Sequence, residues 1–361
     1  MNTTTITFLA GSPYHVESVL GVDPYEQAAS GRLTHLLLNQ PPICDSHCRR
    51  CFMPTERRNH VNWRLSLEES IKVIRDAAVE GMFCLEISGE GEPLLSKSLY
   101  GIIETAYGEG YITTLITNGH LLNPENIPFF FDHNVTLVVS LFSLNKAVYE
   151  MDIGLRNSFE KTMSKIEMAA KVFANGTKII DGKTVQRMAI HTTAQSDNIE
   201  DLKAIASFCH DRGIFWSVAP LAPVGCGENH KNLLLSQNEA WAAHTSGDNS
   251  IILSQTSKKQ FGRQVCGTCA YGLNIGFDGN LLFDVHAGYE IGDLLGNIRT
   301  HSIKELVAIQ REITKELFQH IDGYCPVRDP KWQSFITSYL AQRQKPPAIQ
   351  FSNVAYQTTS L

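Results

Sequence analysis

Short apolar runs alternate with amphipathic stretches from about residue 33 to residue 223. Each apolar run is six or seven residues long and predicts a buried strand, and the segments between them carry apolar residues at helical spacing. The predicted strands are 33–39, 83–88, 112–117, 135–141, 187–193 and 214–219. Six strand–helix units in series need crossover connections, and these predict a parallel sheet.

A parallel sheet of this kind indicates the α/β class, and we expect a partial (β/α)6 TIM-like barrel. In such barrels the chemistry lies in the loops that follow the strands, at their carboxyl ends. The unusual loops of this chain hold those positions. They are the cysteine-bearing segment 44–51, Gly89-Glu90-Gly91-Glu92-Pro93, and Thr117-Asn118-Gly119.

The alternation ends after residue 223, where we place the boundary of a smaller second domain. Asp278-Gly279 lies between two short apolar runs, which predicts a β-hairpin, and helices are expected near 236–244 and 302–319. The predicted organisation is an N-terminal extension (1–32), the barrel (33–224), and a smaller second domain with a C-terminal tail (225–361).

Composition and charge narrow the function classes. The net charge is −6 and lacks long runs of one sign, which argues against nucleic acid as a partner. No stretch reaches the ~18 apolar residues of a membrane span, and the start of the chain lacks the features of a signal peptide. We therefore expect a cytoplasmic protein without a membrane partner. In a reducing compartment its nine cysteines favour metal ligation over disulfides where they cluster.

Three thiols, Cys44, Cys48 and Cys51, lie in one loop directly after the first predicted strand. Cysteines at such short spacing are typical ligands of iron–sulfur clusters. The nearby Arg49 and Arg50 suit an anionic cofactor, although a solvated loop explains them equally well. A zinc site with His47 as a fourth ligand, and three unrelated buried thiols, are the alternatives.

The spacing CxxxCxxC after the first strand of an α/β domain resembles the radical S-adenosylmethionine (SAM) superfamily. The resemblance implies that three cysteines hold a [4Fe–4S] cluster and that SAM occupies the fourth iron. It also implies reductive cleavage of SAM to a 5′-deoxyadenosyl radical, which abstracts a hydrogen atom from the substrate. An electron donor such as flavodoxin or ferredoxin is then expected as a partner.

Further residues match the family at the expected loops, and the resemblance assigns them to SAM binding. They are Phe52, Gly91, Glu92, Pro93, Asn118, Ser140 and Arg156. The match departs from the family pattern at Glu90, so the acid that points inward is left open. It also departs at Phe142, where family members often have an aspartate. A plain acidic turn and an exposed surface arginine are the alternative interpretations of the second loop and of Arg156.

A second group of thiols resembles the SPASM/twitch extension, which implies one auxiliary [4Fe–4S] cluster held by Cys266, Cys269 and Cys325. Asp284 stands where that family normally has a cysteine, and we take it as the fourth ligand. His286, Cys226 or an open iron are the other possibilities for that position. A zinc knuckle is the alternative for the whole group.

Cys226 follows the last barrel strand, where substrate is expected, and it could donate a hydrogen atom to a substrate radical. A spare loop thiol is the alternative. The remaining thiols, Cys84 and Cys209, lie within apolar elements and are interpreted as small buried hydrophobic residues.

The predicted function is therefore a radical SAM oxidoreductase or epimerase that acts on a small molecule of the sugar or aminocyclitol type. A radical SAM peptide or protein maturase is the alternative, and a non-catalytic zinc-binding scaffold is the second. Polar or aromatic substrate contacts could come from Tyr14, His15, His191, His230 or Tyr271, and the sequence does not choose among them.

Overall fold

The structure is a computed structural model. It describes residues 27, 30–53, 62–180, 183–248, 271–283, 295–320 and 338–339. Residues 1–26, 28 and 29 of the N-terminal extension and the proposed auxiliary-cluster ligands Cys266, Cys269, Asp284 and Cys325 lie outside these residues. The predictions made for them therefore stay predictions.

The described residues contain ten strands: β1 (His35–Gln40), β2 (Cys84–Gly89), β3 (Ile112–Thr117), β4 (Val135–Ser140), β5 (Lys178–Ile180), β6 (Lys183–Val185), β7 (Met188–Ala194), β8 (Phe215–Pro220), β9 (Gly272–Ile275) and β10 (Leu281–Leu282). Strands β5 and β6 form an antiparallel pair of their own. The other eight form one sheet, in the order β10-β9-β1-β2-β3-β4-β7-β8. Every pair in it is parallel except β9 with β10, and the sheet does not close. The predicted α/β class and partial barrel are confirmed.

Helices follow most strands and cover one face of the sheet. They are α1 (Leu67–Val79), α2 (Leu99–Gly108), α3 (Asn126–Asp132), α4 (Lys146–Ile153), α5 (Phe159–Phe173), α6 (Leu202–His210), α7 (Gln237–Ser246) and α8 (Ile303–His320). The predicted capping box is present at α1, where Ser66 and Glu69 exchange hydrogen bonds. Of the helices in the described ranges, none is long and apolar enough to cross a membrane.

The two faces of the sheet differ in character because side chains alternate along each strand. Residues such as Leu137, Ile190 and Trp216 join the large core beneath the helices. On the opposite, inner face, Val138, Ala189 and Phe215 form a separate small apolar cluster. The side chains of the inner face are therefore not part of the core that packs against the helices.

The C-terminal hairpin joins the barrel sheet, which local patterns did not predict. Strand β9 pairs parallel with β1, and the Asn39 side-chain amide donates to Asn274 Oδ1 at 2.9 Å. His35 lies buried against Tyr271, with ring centroids 4.6 Å apart. The boundary near residue 224 stays a prediction, but the hairpin beyond it shares one sheet with the first barrel strand.

Candidate functional site

The loop after β1, residues 44–51, carries three of the predicted metal ligands and is called here the cysteine loop. The amides of His47 and Arg49 donate to the carbonyls of Ile153 and Asp152, both at 2.9 Å. Carbonyls in the last turn of a helix lack partners within that helix, so the carboxyl end of α4 is a natural anchor for a loop rich in N–H donors.

Both arginines of the cysteine loop are paired with carboxylates of the protein. Arg50 forms an ion pair with Asp152, and Arg49 Nη2 lies 2.6 Å from Asp197 Oδ2 and 3.8 Å from Asp152 Oδ1. The Asp152 side chain is completely buried. The sequence suggested an anionic cofactor as the partner of this basic pair, whereas the structure provides both arginines with internal partners.

The three thiols lie in one loop at the protein surface: Cys44 is exposed, and Cys48 and Cys51 are partly buried. Burial is the largest cause that raises the pKa of Cys48 to about 11, and the neighbouring thiols act in the same direction. Because thiolates are the metal-binding form, loading a metal here must release protons.

The chemistry of these donors is compatible with an iron–sulfur cluster, and their ligand roles stay a prediction. In the part of the chain that the structure describes, no three His, Cys, Asp or Glu side chains gather as they would around one metal ion. A mononuclear zinc site needs its ligands to converge on one point. In a [4Fe–4S] cluster each cysteine binds a different iron, so three thiols spread along one loop fit that group.

The loop after β2, residues 89–93, is called here the acidic loop, and it packs backbone to backbone against the segment that leads into the cysteine loop. A Cβ atom placed on Gly91 would lie 2.3 Å from the Ile43 carbonyl oxygen and 2.4 Å from that of Pro41. The Glu92 amide donates to the Ile43 carbonyl at 2.8 Å. Only glycine permits so close an approach at this position.

Both acids of the acidic loop are buried, and they point to different elements. Glu92 accepts hydrogen bonds from the Thr117 hydroxyl at 2.6 Å, the Asn118 amide at 2.8 Å and the Leu94 amide at 3.1 Å. Burial raises the pKa of Glu92 against these donors. Glu90 instead accepts from the Phe277 amide of the hairpin at 3.4 Å.

Asp45 and His120, which sequence reasoning missed, link the cysteine loop to the loop after β3. The Asn118 side-chain amide donates to Asp45 Oδ1 at 2.7 Å, and His120 Nδ1 lies 3.2 Å from Asp45 Oδ2. The hydrogen bond from His120 is the largest cause that lowers the pKa of Asp45 to about 2. Their position one residue beyond recognised motif residues was the only available signal.

Cys226 lies beside the cysteine loop, as its place after the last barrel strand suggested. Its amide donates to the Cys51 carbonyl at 2.8 Å. A Cβ atom on the preceding Gly225 would lie 2.4 Å from the Phe52 carbonyl oxygen. Phe52 itself packs with Met53 and Leu282 of the hairpin.

The remaining predicted residues are placed as follows. Pro93 is buried and begins the short 3-10 helix Pro93–Leu95. Ser140, at the end of β4, is in register with His191 of β7, which is in register with Ser217 of β8. Arg156 lies exposed in the turn between α4 and α5, away from any described ion pair or hydrogen bond.

Residues 38–209 match the family model of the radical SAM superfamily. The chain carries a radical SAM domain. Its family binds a [4Fe–4S] cluster and SAM, which agrees with the donors found in the cysteine loop. The radical SAM family predicted from the sequence is therefore confirmed, while the oxidoreductase or epimerase type and the ligand role of each cysteine stay predictions.

Two solved structures show how far along this chain the likeness in fold extends. The crystal structure of Streptococcus suis SuiB bound to the precursor peptide SuiA is similar over 85% of this chain and 67% of that one, at 14% identity and a TM-score of 0.58. Native anSMEcpe with bound AdoMet and Cp18Cys peptide is similar over 86% of this chain and 96% of that one, at 15% identity and a TM-score of 0.57. At these identities the likeness describes the fold alone.

Proposed function

We propose that this radical SAM enzyme holds its [4Fe–4S] cluster with Cys44, Cys48 and Cys51 and leaves the fourth iron to SAM. The observation that carries the proposal is the position of the three thiols. They lie on one loop at the carboxyl end of β1, bounded by the acidic loop and by Asn118. With both groups bound, the site supplies one-electron cleavage of the sulfonium and a 5′-deoxyadenosyl radical that takes a hydrogen atom from the substrate.

The chain's own residues would hold these groups in place. Glu92 keeps the backbone of the loop after β3 in position through the Asn118 amide, and Gly91 allows the acidic loop to lie against Ile43. Asn118, Ser140 and Phe52 remain the proposed contacts to SAM. Arg156 also remains a proposed contact to SAM, but its exposed side chain would have to move in order to reach the site.

We propose a small polar substrate, of the sugar or aminocyclitol type, bound over the inner face of the sheet. His191 Nδ1 lies 3.2 Å from Ser217 Oγ, in the same row as Ser140. Hydroxyl and imidazole groups suit the hydroxyl and amino groups of such a molecule. Oxidation would remove two hydrogens, whereas epimerisation would return one hydrogen from Cys226. The auxiliary cluster, with Cys266, Cys269, Cys325 and Asp284 as its ligands, remains part of the proposal.

A peptide is the second candidate substrate. It is supported by the two similar structures, one of which is bound to the SuiA precursor peptide and the other to the Cp18Cys peptide. The same inner face and the same thiols would serve either substrate, so the two candidates share the radical chemistry and differ only in what is bound.

The test is anaerobic reconstitution with iron and sulfide, followed by SAM, a reductant and candidate substrates in D2O. Wild type should release 5′-deoxyadenosine, and Cys48→Ala should release at least 100-fold less because one cluster ligand is lost. Cys209→Ala, which removes a buried thiol of α6, is the matched control and should stay active. Equal activity of Cys48→Ala and wild type would contradict the proposal.

The products of the same reaction separate the outcomes. Oxidation lowers the substrate mass by two hydrogens, whereas epimerisation leaves the composition unchanged and incorporates one deuterium from solvent through Cys226. If only peptides stimulate 5′-deoxyadenosine release, the small-molecule assignment is wrong and the second candidate stands.

A further inference from the structure

We propose that Asp152 is a positioning residue for the cysteine loop and acts through Arg49 and Arg50. Together with Asp197 these residues form what is called here the arginine–aspartate cluster. The proposal rests on the proposed function only in taking Cys48 and Cys51 as ligands. Nothing in the radical SAM match itself assigns a role to this cluster.

The burial of the arginine–aspartate cluster is the first argument. The Asp152 side chain is completely buried, and the side chains of Arg49 and Arg50 are only 20% and 11% exposed. Gln195 Nε2 donates to both carboxylates, at 3.3 Å to Asp152 Oδ1 and 2.7 Å to Asp197 Oδ1. A charge removed from water needs its partners in a defined geometry, so this cluster permits few alternative arrangements of the loop.

The place of the arginines in the chain is the second argument. Arg49 and Arg50 are the two residues between Cys48 and Cys51. Because both arginine side chains are directed toward Asp152 and Asp197, the backbone that carries the two thiols has its orientation restricted. Arg50 is held from a further side, since its guanidinium lies 4.7 Å from the ring centroid of the buried Phe142.

The backbone contacts of α4 are the third argument. Asp152 and Ile153 present their carbonyls to the Arg49 and His47 amides at 2.9 Å. Gly154 ends the helix with a φ of +70°, and a Cβ atom there would lie 3.0 Å from the His47 carbonyl oxygen. Side chain and backbone of Asp152 therefore hold the same loop, and α4 is the element on which the thiols are positioned.

The test uses the full chain without its cluster and measures how fast each thiol is alkylated by iodoacetamide, with peptide mass spectrometry as the readout. Asp152→Asn keeps the side-chain shape but removes the charge. Cys48 and Cys51 should then react at least fivefold faster than in wild type. Glu167→Gln, which removes the carboxylate charge from the half-buried pair with Arg212 at 2.8 Å, is the matched control and should change neither rate.

The buried thiols Cys84 and Cys209 report whether a variant has unfolded, because they react only when the core opens. If Asp152→Asn unfolds, the same rates are measured on the double variant Asp152→Asn with Arg50→Met. This variant has no arginine at position 50 that would be left buried without its carboxylate partner. Faster alkylation of Cys48 and Cys51 in a folded variant supports the proposal. Unchanged rates in a folded variant would overturn it.

The EPR signal of the reduced, reconstituted protein gives a second measurement, which a purely structural role would not change. After anaerobic reconstitution, the folded variant should show at least a threefold smaller SAM-dependent change in the EPR signal of the reduced protein than Glu167→Gln does. If wild type takes up no cluster, the proposed function fails, while the alkylation rates still decide the role of Asp152.

Discussion

The cysteine loop and the acidic loop follow neighbouring parallel strands, yet they are held in place by different forces. The cysteine loop depends on ion pairs of Arg49 and Arg50 and on the carboxyl end of α4. The acidic loop depends on close backbone packing at Gly91 and on hydrogen bonds to the buried Glu92. Buried ion pairs thus contribute most to the position of the cysteine loop, whereas close backbone packing contributes most to that of the acidic loop.

This difference follows from what each loop must present. The thiols of the cysteine loop must stay accessible to the proposed cluster. The loop is therefore anchored on its opposite side, by the side chains of Arg49 and Arg50 that lie between two of the thiols. The acidic loop meets the chain at Pro41 and Ile43 directly, so its own backbone can serve as the contact. The two loops should therefore respond to different substitutions.

The largest effect is expected for Gly91→Ala, which disrupts the close backbone packing of the acidic loop against Pro41 and Ile43. The added methyl would meet backbone oxygens that have no freedom to move away, so overpacking should lower the free energy of unfolding by about 3 kcal/mol. Urea denaturation of the cluster-free chain measures this, with Gly108→Ala as control. Nothing lies within 4 Å of a Cβ atom on Gly108. Equal midpoints for the two variants would contradict the close packing of Gly91.

Local patterns predicted the elements well because each apolar run is short and clearly bounded. Strand β3 is observed at Ile112–Thr117, as predicted, and β8 at Phe215–Pro220, one residue beyond the predicted 214–219. Helix α4 was missed because its buried positions include the charged Asp152 beside Tyr149 and Ile153, which hides the amphipathic pattern.

The candidate site was predictable where a motif is contiguous and unpredictable where it is assembled from distant parts. The cysteine spacing identified the loop, but the partners of Arg49 and Arg50 come from α4 and from the loop after β7. The pairing of His120 with Asp45 joins residues 75 positions apart. Such contacts form only in the tertiary fold, so the local pattern of apolar and polar residues does not predict them.

A smaller effect is expected for Glu92→Gln, which changes the hydrogen bonds of the acidic loop but preserves its shape. Both carboxylate oxygens accept from protein donors, so the new amide group would face the amide of Asn118 or of Leu94. One such mismatch should cost about 1–2 kcal/mol in the free energy of unfolding. Urea denaturation would measure it against the exposed control Glu104→Gln. A variant as stable as this control would show that Glu92 does not hold the loop after β3.

The smallest effect is a difference in pH dependence between the two loops. Burial raises the pKa of Glu92 above 4.5, so its contribution to stability should increase as the pH falls from neutral toward 4.5, where the folded state binds the proton more tightly. The pKa of Asp45 is lowered to about 2 from 3.8, so its contribution is present above pH 3.8 and is lost below it.

Thermal unfolding of wild type, Glu92→Gln and Asp45→Asn at several pH values would separate the two loops. Wild type should gain stability relative to Glu92→Gln on going from pH 8 to 4.5, because only wild type takes up the extra proton. Its advantage over Asp45→Asn should stay constant over that range and shrink only below pH 3.8. A flat difference for Glu92→Gln would mean that this carboxylate stays charged in the folded protein, so that hydrogen bonds outweigh burial in the acidic loop.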